Sequence, residues 1–128
     1  MVLNIEKLYK TYTTGKNEFQ ALRGVDLKVD KGEFISIMGP SGSGKSTLLN
    51  IIAGFDNATS GNVIIDGENI TKFSENSRAK LRRRKIGFVF QSFCLLTDLT
   101  ALENVMMPLL IAGHSKSKSK ELALKYLD

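Results

Sequence analysis

No stretch of this sequence approaches the ~18 consecutive apolar residues that a membrane-spanning helix needs. The N-terminus, MVLNIEKLYK, also lacks the basic, then apolar, then small-residue order of a signal peptide. The expectation is a soluble, cytoplasmic chain that reaches any membrane process through a partner. Cysteine is nearly absent. Cys94 alone excludes an internal disulfide and fits a reducing compartment. Within SFCLL it reads as a small apolar packing residue. Charge of one sign is in only mild excess: 18 Lys and Arg against 13 Asp and Glu leave +5, short of what argues for a nucleic-acid partner. No internal repeat is visible.

The 42% hydrophobic and 24% charged fractions are those of an ordinary globular protein, and 128 residues fit one domain spanning 1–128. Residues 3–12 and 21–30 alternate apolar and polar side chains as half-buried strands do, with a turn or short insertion between them. Residues 34–38, FISIM, form a nearly continuous apolar run suited to a fully buried strand. Residues 46–55 predict a buried helix stopped at Gly54. GNVIIDG is a short strand ending in an Asp-Gly turn. Residues 74–85 predict a polar helix opening at Ser74 or Ser77, and 86–91 another apolar strand. Residues 100–110 predict a helix as far as Pro108. The stretch from Gly113 begins as a polar linker, after which Leu122, Leu124 and Leu127 start a further helix. Alternating strands and helices point to an α/β fold.

Between the apolar run and the helix lies GPSGSGKST, which matches G-x-x-x-x-G-K-[ST] at Gly39, Gly44, Lys45 and Ser46. Gly39, Gly42 and Gly44 let the backbone turn sharply and approach phosphate oxygens with no Cβ in the way. The exposed N–H groups of Ser41, Ser43 and their neighbours, with the positive end of the following helix, suit a polyphosphate. Pro40 removes one donor from that set. Lys45 supplies a mobile charge for the outer phosphates, the Ser46 hydroxyl a ligand for Mg²⁺, and Thr47 a donor to an inner phosphate. The loop alone leaves kinases, GTPases and ATPases open. A guanine-reading N-K-x-D and a D-x-x-G switch are both missing.

The stretch VDLKVDKGEFISIMGPSGSGKSTLLNIIAGFDNATSGNVIIDGENI closely resembles the nucleotide-binding subunit of ATP-binding-cassette (ABC) transporters, and IGFVFQSFCLLTDLTALENVMMPL resembles the part that follows. Within that family LRRRKIGFVFQ and LTALENV look most like the lipoprotein-release, macrolide-export and antimicrobial-peptide-resistance group. The resemblance implies a P-loop NTPase core with an N-terminal antiparallel β region. Its cofactors would be ATP and Mg²⁺, and its chemistry ATP hydrolysis coupled to transport, with export or lipoprotein and peptide handling as the expected cargo class. The partners would be a membrane permease and a second ATPase subunit, on the inner face of the membrane. Tyr12 would stack on adenine, with Phe19 as a weaker candidate. Lys45 and Gln91 would be catalytic, and Gln91 would join Ser46 at the metal.

Cys94 and Thr97–Asp98 depart from the family pattern on the side that meets the permease. RAKLRRRK holds six basic residues in eight and reads as a solvated face, since no aromatics are interleaved with it. The family's Asp-Glu strand, its L-S-G-G-Q segment and its later histidine are not found. Asp66 ends a poor imitation of that strand and His114 lies in a polar linker, so neither is assigned chemistry. The expectation is therefore the first part of a longer domain. In such a piece FISIM would lose a neighbouring strand and expose a hydrophobic edge, and ATP would be hydrolysed poorly or not at all. A regulatory fragment that binds nucleotide without turnover remains an alternative, as does a soluble ABC protein acting on nucleic acid.

Overall fold

The computed structural model describes residues 1–128, which fall into two compact units, Met1–Gly87 and Phe88–Asp128. In the first, β1 (Leu3–Thr14) and β2 (Asn17–Val29) form a long antiparallel hairpin. β3 (Ser60–Ile65) pairs with the other edge of β1, and the two-residue β4 (Glu68–Asn69) completes a sheet of order β2-β1-β3-β4. All pairs are antiparallel. The alternation read in the sequence accounts for β1: Ile5 and Leu8 are buried between strand neighbours, and β1 bulges between them, with Lys7 at φ 45°. The Asp-Gly turn lies where the sequence placed it. Asp66 and Gly67 both have positive φ, 49° and 82°, as a two-residue hairpin of this hand requires.

α1 (Lys45–Ile52) buries Leu48 and Ile51, which join Ile5, Leu8, Leu22, Val63 and Ile65 in the core. Ile70, from a 3₁₀ turn over Ile70–Lys72, and Leu81 of α2 (Glu75–Lys85) close that cluster. Each such side chain contributes roughly 1.5–3 kcal/mol through burial. The Ser74 side chain accepts from the Ser77 N–H and so starts α2 at the first of its two expected openings.

In the second unit α3 (Ala101–Ile111) and α4 (Lys116–Leu127) pack together. A reciprocal Thr100–Glu103 cap starts α3. Asn104 ties the preceding loop to the helix: its Oδ1 accepts from the Leu96 N–H at 2.9 Å, and its Nδ2 lies 3.0–3.1 Å from the carbonyls of Leu96, Leu99 and Thr100.

Five sequence expectations are corrected. Residues 34–38 and 86–91 belong to no strand. A strand exists by pairing with a neighbour, and nothing in the chain pairs with either run; Phe34 is 97% and Met38 86% exposed. α3 runs through Pro108 to Ile111, because a proline near the end of a short helix forfeits a single backbone bond. The polar linker after Gly113 is mostly helix, since Ser115 accepts from the Lys118 N–H and starts α4 at once. Cys94 is exposed rather than packed, at φ 49° in a segment without regular structure. No helix is long and apolar enough to cross a membrane.

Candidate nucleotide-binding site

The Gly39–Thr47 loop is built against β2. At Gly44 the backbone is left-handed (φ 91°), and a Cβ there would meet the Ala21 carbonyl oxygen at 2.5 Å and Leu22 Cδ2 at 2.9 Å. Only glycine fits both constraints. Pro40 to Ser43 form a turn closed by the Ser43 N–H to the Pro40 carbonyl, 3.2 Å. α1 begins directly after Gly44, with no capping side chain and no acidic residue in its first turn. Its first amides therefore have no intrahelical partner, and its positive end is uncompensated by any side chain.

The Lys45 ammonium folds back over the loop. Its Nζ donates to the Gly39 carbonyl (2.8 Å), the Pro40 carbonyl (2.7 Å) and Ser43 Oγ (3.1 Å). All three donors are thus engaged by neutral acceptors, which an anionic oxygen would displace with a stronger, charge-assisted bond. Ser41, Gly42 and Ser43 are exposed, as is Ser46, while Thr47 is half-buried. An open hollow of about 380 Å³ flanks the loop, bounded by Gly42 and Ser43 on one side and by Phe19, Ala21 and Arg23 of β2 on the other. No group of three or more His, Cys, Asp or Glu is placed to hold a metal ion.

Tyr12 stands beside the loop. Its hydroxyl lies 3.4 Å from Thr47 Oγ1 but only 2.7 Å from Asp56 Oδ2, so its single proton goes to the carboxylate. Phe19 is its cross-strand partner in the hairpin, which puts both rings on one face. Lys10 Nζ sits 4.6 Å from the Tyr12 ring centroid and donates to Asp56 Oδ1 and the Asn57 carbonyl, each at 2.7 Å. Burial would push the Asp56 carboxyl up, but the hydrogen bonds from Lys10, Tyr12 and the Asn57 N–H together hold it below the usual carboxylate range.

Of the sequence candidates, the structure brings together the loop residues, Lys45, Ser46, Thr47 and Tyr12. Gln91 belongs to the second unit, where it is exposed. Asp66 carries an ion pair with Lys85 (2.6 Å), and that hydrogen bond holds the lysine above its ordinary pKa. The His114 N–H caps the end of α3 at the Leu109 carbonyl. The basic run is only partly a solvated face. Arg82 donates to the Gly54 carbonyl and to Glu75 and lies over the Phe55 ring, and Arg78 reaches the Thr71 carbonyl. Sequence reasoning missed Lys10 and Asp56. The available signal was Lys10 itself, two residues after the buried Leu8, on a strand face where a cation needs a counter-charge.

A family model described as ABC transporter matches residues 22–128. The chain is 46% identical over 128 residues to the lipoprotein-releasing system ATP-binding protein LolD of Legionella pneumophila (strain Lens), covering 100% of this chain and 56% of that protein. It is 48% identical over 116 residues to the macrolide export ATP-binding/permease protein MacB of Syntrophobacter fumaroxidans, covering 91% of this chain and 16% of that one. Among solved structures, a dimeric post-hydrolysis state of the ATP-binding cassette MJ0796 bound to ADP and Pi superposes with a TM-score of 0.90 at 45% identity. That match covers 96% of this chain and 54% of the cassette. The chain thus spans about half the length of the lipoprotein-release relative and of the cassette.

Proposed function

This chain belongs to the ABC transporter family, and on that premise we propose that Gly39–Thr47 binds the phosphates of ATP. The observation that carries the reading is the uncapped start of α1 with the Lys45 ammonium held over the same loop. Backbone amides from Gly39 to Thr47, less the one that Pro40 lacks, donate to phosphate oxygens, the Ser43 N–H leaving the Pro40 carbonyl to do so. Lys45 exchanges its carbonyl partners for the outer phosphates, and Thr47 donates to an inner one. Ser46 holds Mg²⁺, which would neutralise charge on the outer phosphates, and Gln91 is assigned to the same metal or to the attacking water. Tyr12 stacks on the adenine.

The chain acts as the nucleotide-binding part of an ATPase that drives a permease, in the manner of LolD and MacB, with export or lipoprotein and peptide handling as the cargo class. It works beside a second ATPase subunit, at the inner face of the membrane, and binds no nucleic acid. The engagement of Arg78, Arg82 and Lys85 within their own unit supports that last point. Alone it turns ATP over slowly or not at all: hydrolysis asks for a carboxylate free to polarise the attacking water, and Asp56, beside Tyr12, is already engaged by Lys10 and Tyr12.

Isothermal titration of the 128-residue chain with ATP and Mg²⁺ tests the reading against the Lys45→Ala variant. Losing one charged phosphate partner should weaken binding roughly 10- to 100-fold. Equal affinity in the variant would remove the loop from the account. Lys45-dependent turnover at rates of about 1 s⁻¹ or more would overturn the expectation of slow hydrolysis.

A further inference from the structure

Lys10 is the only charged side chain among the buried residues, at 9% exposure. An ammonium withdrawn from water is tolerated only when its donors are met. Here two go to Asp56 Oδ1 and the Asn57 carbonyl, and the charge lies over the Tyr12 ring. The second Asp56 oxygen takes the Tyr12 hydroxyl. Lysine, aspartate and tyrosine thereby close a ring of three contacts, and Tyr12 is held at its tip and on one face. A tie serving the fold alone has no need of an exposed tyrosine, yet Tyr12 stays 38% exposed beside Thr47, the last residue of the loop.

We propose that Lys10 and Asp56 are positioning residues that hold Tyr12 as a prebuilt platform for the nucleotide base. The inference rests on the reading of Tyr12 as the stacking ring and adds what fixes it. With Lys10 on one face, a base stacks on the other. With the hydroxyl proton given to Asp56, the ring supplies stacking rather than hydrogen-bond readout. The ring's two side-chain torsions are set before the ligand arrives, so binding pays no entropy to order them.

The test compares ATP with inorganic tripolyphosphate, which shares the phosphate loop but has no base. Binding constants are measured by calorimetry for the whole chain and for Lys10→Met, Asp56→Asn, Tyr12→Ala, Phe19→Ala and Lys45→Ala. Loss of a stacking platform is worth roughly 5- to 100-fold per base, and loosening one roughly 3- to 10-fold. Lys10→Met and Asp56→Asn should therefore weaken ATP by roughly 3- to 10-fold while tripolyphosphate stays within about twofold. Adding Lys10→Met to Tyr12→Ala should cost nothing further.

An unchanged ATP-to-tripolyphosphate preference in both variants overturns the proposal, as does an equal loss for both ligands, which would mark a purely structural tie. If Lys10→Met loses its far-ultraviolet circular dichroism, Asp56→Asn, which conserves volume, decides. If Phe19→Ala abolishes the preference and Tyr12→Ala does not, the platform is Phe19, and the proposal falls while the phosphate loop stands. If Lys45→Ala keeps its affinity for tripolyphosphate, the phosphate reading fails, and the ATP preference of the Lys10 and Asp56 variants still judges the platform.

Discussion

Asp56, four residues past the last residue of α1, has opposing influences on its carboxyl. Partial burial favours the neutral acid, whereas the Lys10 ammonium, the Tyr12 hydroxyl and the Asn57 N–H all favour the anion, and the anion wins. The folded chain therefore holds this proton less readily than the unfolded one. The stabilisation from Asp56 is whole above the ordinary carboxylate pKa of about 4 and is lost as pH falls from there through the depressed folded value. Urea midpoints should accordingly separate the wild type from Asp56→Asn most at pH 6 and least near pH 3; a constant gap between those limits would mean that the carboxylate is not linked to folding. At this scale the sequence was half legible. Lys45, Ser46 and Thr47 announce themselves by local spacing, and a strand followed by a helix confines them to one place. The Lys10–Asp56 pair joins residues 46 positions apart. A lysine on a buried strand face states that a counter-charge is needed without saying which of 13 acidic residues supplies it.

Elements were legible where their determinants are local. Ser74 announces the start of α2, and Asp66–Gly67 announces a hairpin turn, because each cap or turn depends on residues within a few positions. FISIM and IGFVFQ were misread for the opposite reason: an apolar run describes what a strand would bury, and its partner is specified elsewhere. Ser115 shows a subtler failure, since a lysine- and serine-rich tract resembles a linker until its capping serine is counted. Asn104 is the tether that the helical pattern concealed, with one amide side chain serving both the 96–100 loop and α3. Replacing it with alanine strips the Leu96 N–H of its acceptor and the Leu99 carbonyl of its side-chain donor. The expected cost is about 1–3 kcal/mol in the second unit, seen as faster amide exchange at Leu96 and in the first turn of α3. Unchanged exchange there would mean that water replaces the side chain without penalty.

The two units differ in how much they bury. Met1–Gly87 has a nine-residue apolar cluster crossing a sheet and two helices, whereas Phe88–Asp128 buries only Met106 and Ala123 among its apolar residues. Apolar surface also lies open on both, at Phe34 and Met38 in the first and at Val89 and Phe93 in the second. Opening free energy follows the buried contacts that must be broken. Native-state hydrogen exchange should therefore find the slowest amides in β1, at Ile5 and Leu8, and at Val63, which faces Ile5 on β3. Those of α3 and α4 should exchange well before, and limited proteolysis should cut first within 88–100, where the backbone is in no helix or strand. Equal protection of α3 and β1 would require the second unit to draw stability from something other than its own core. Binding of ATP supplies the discriminating control. A ligand seated at the start of α1 should slow exchange in residues 44–52 and along β2 behind the loop, and leave the α3–α4 pair unprotected.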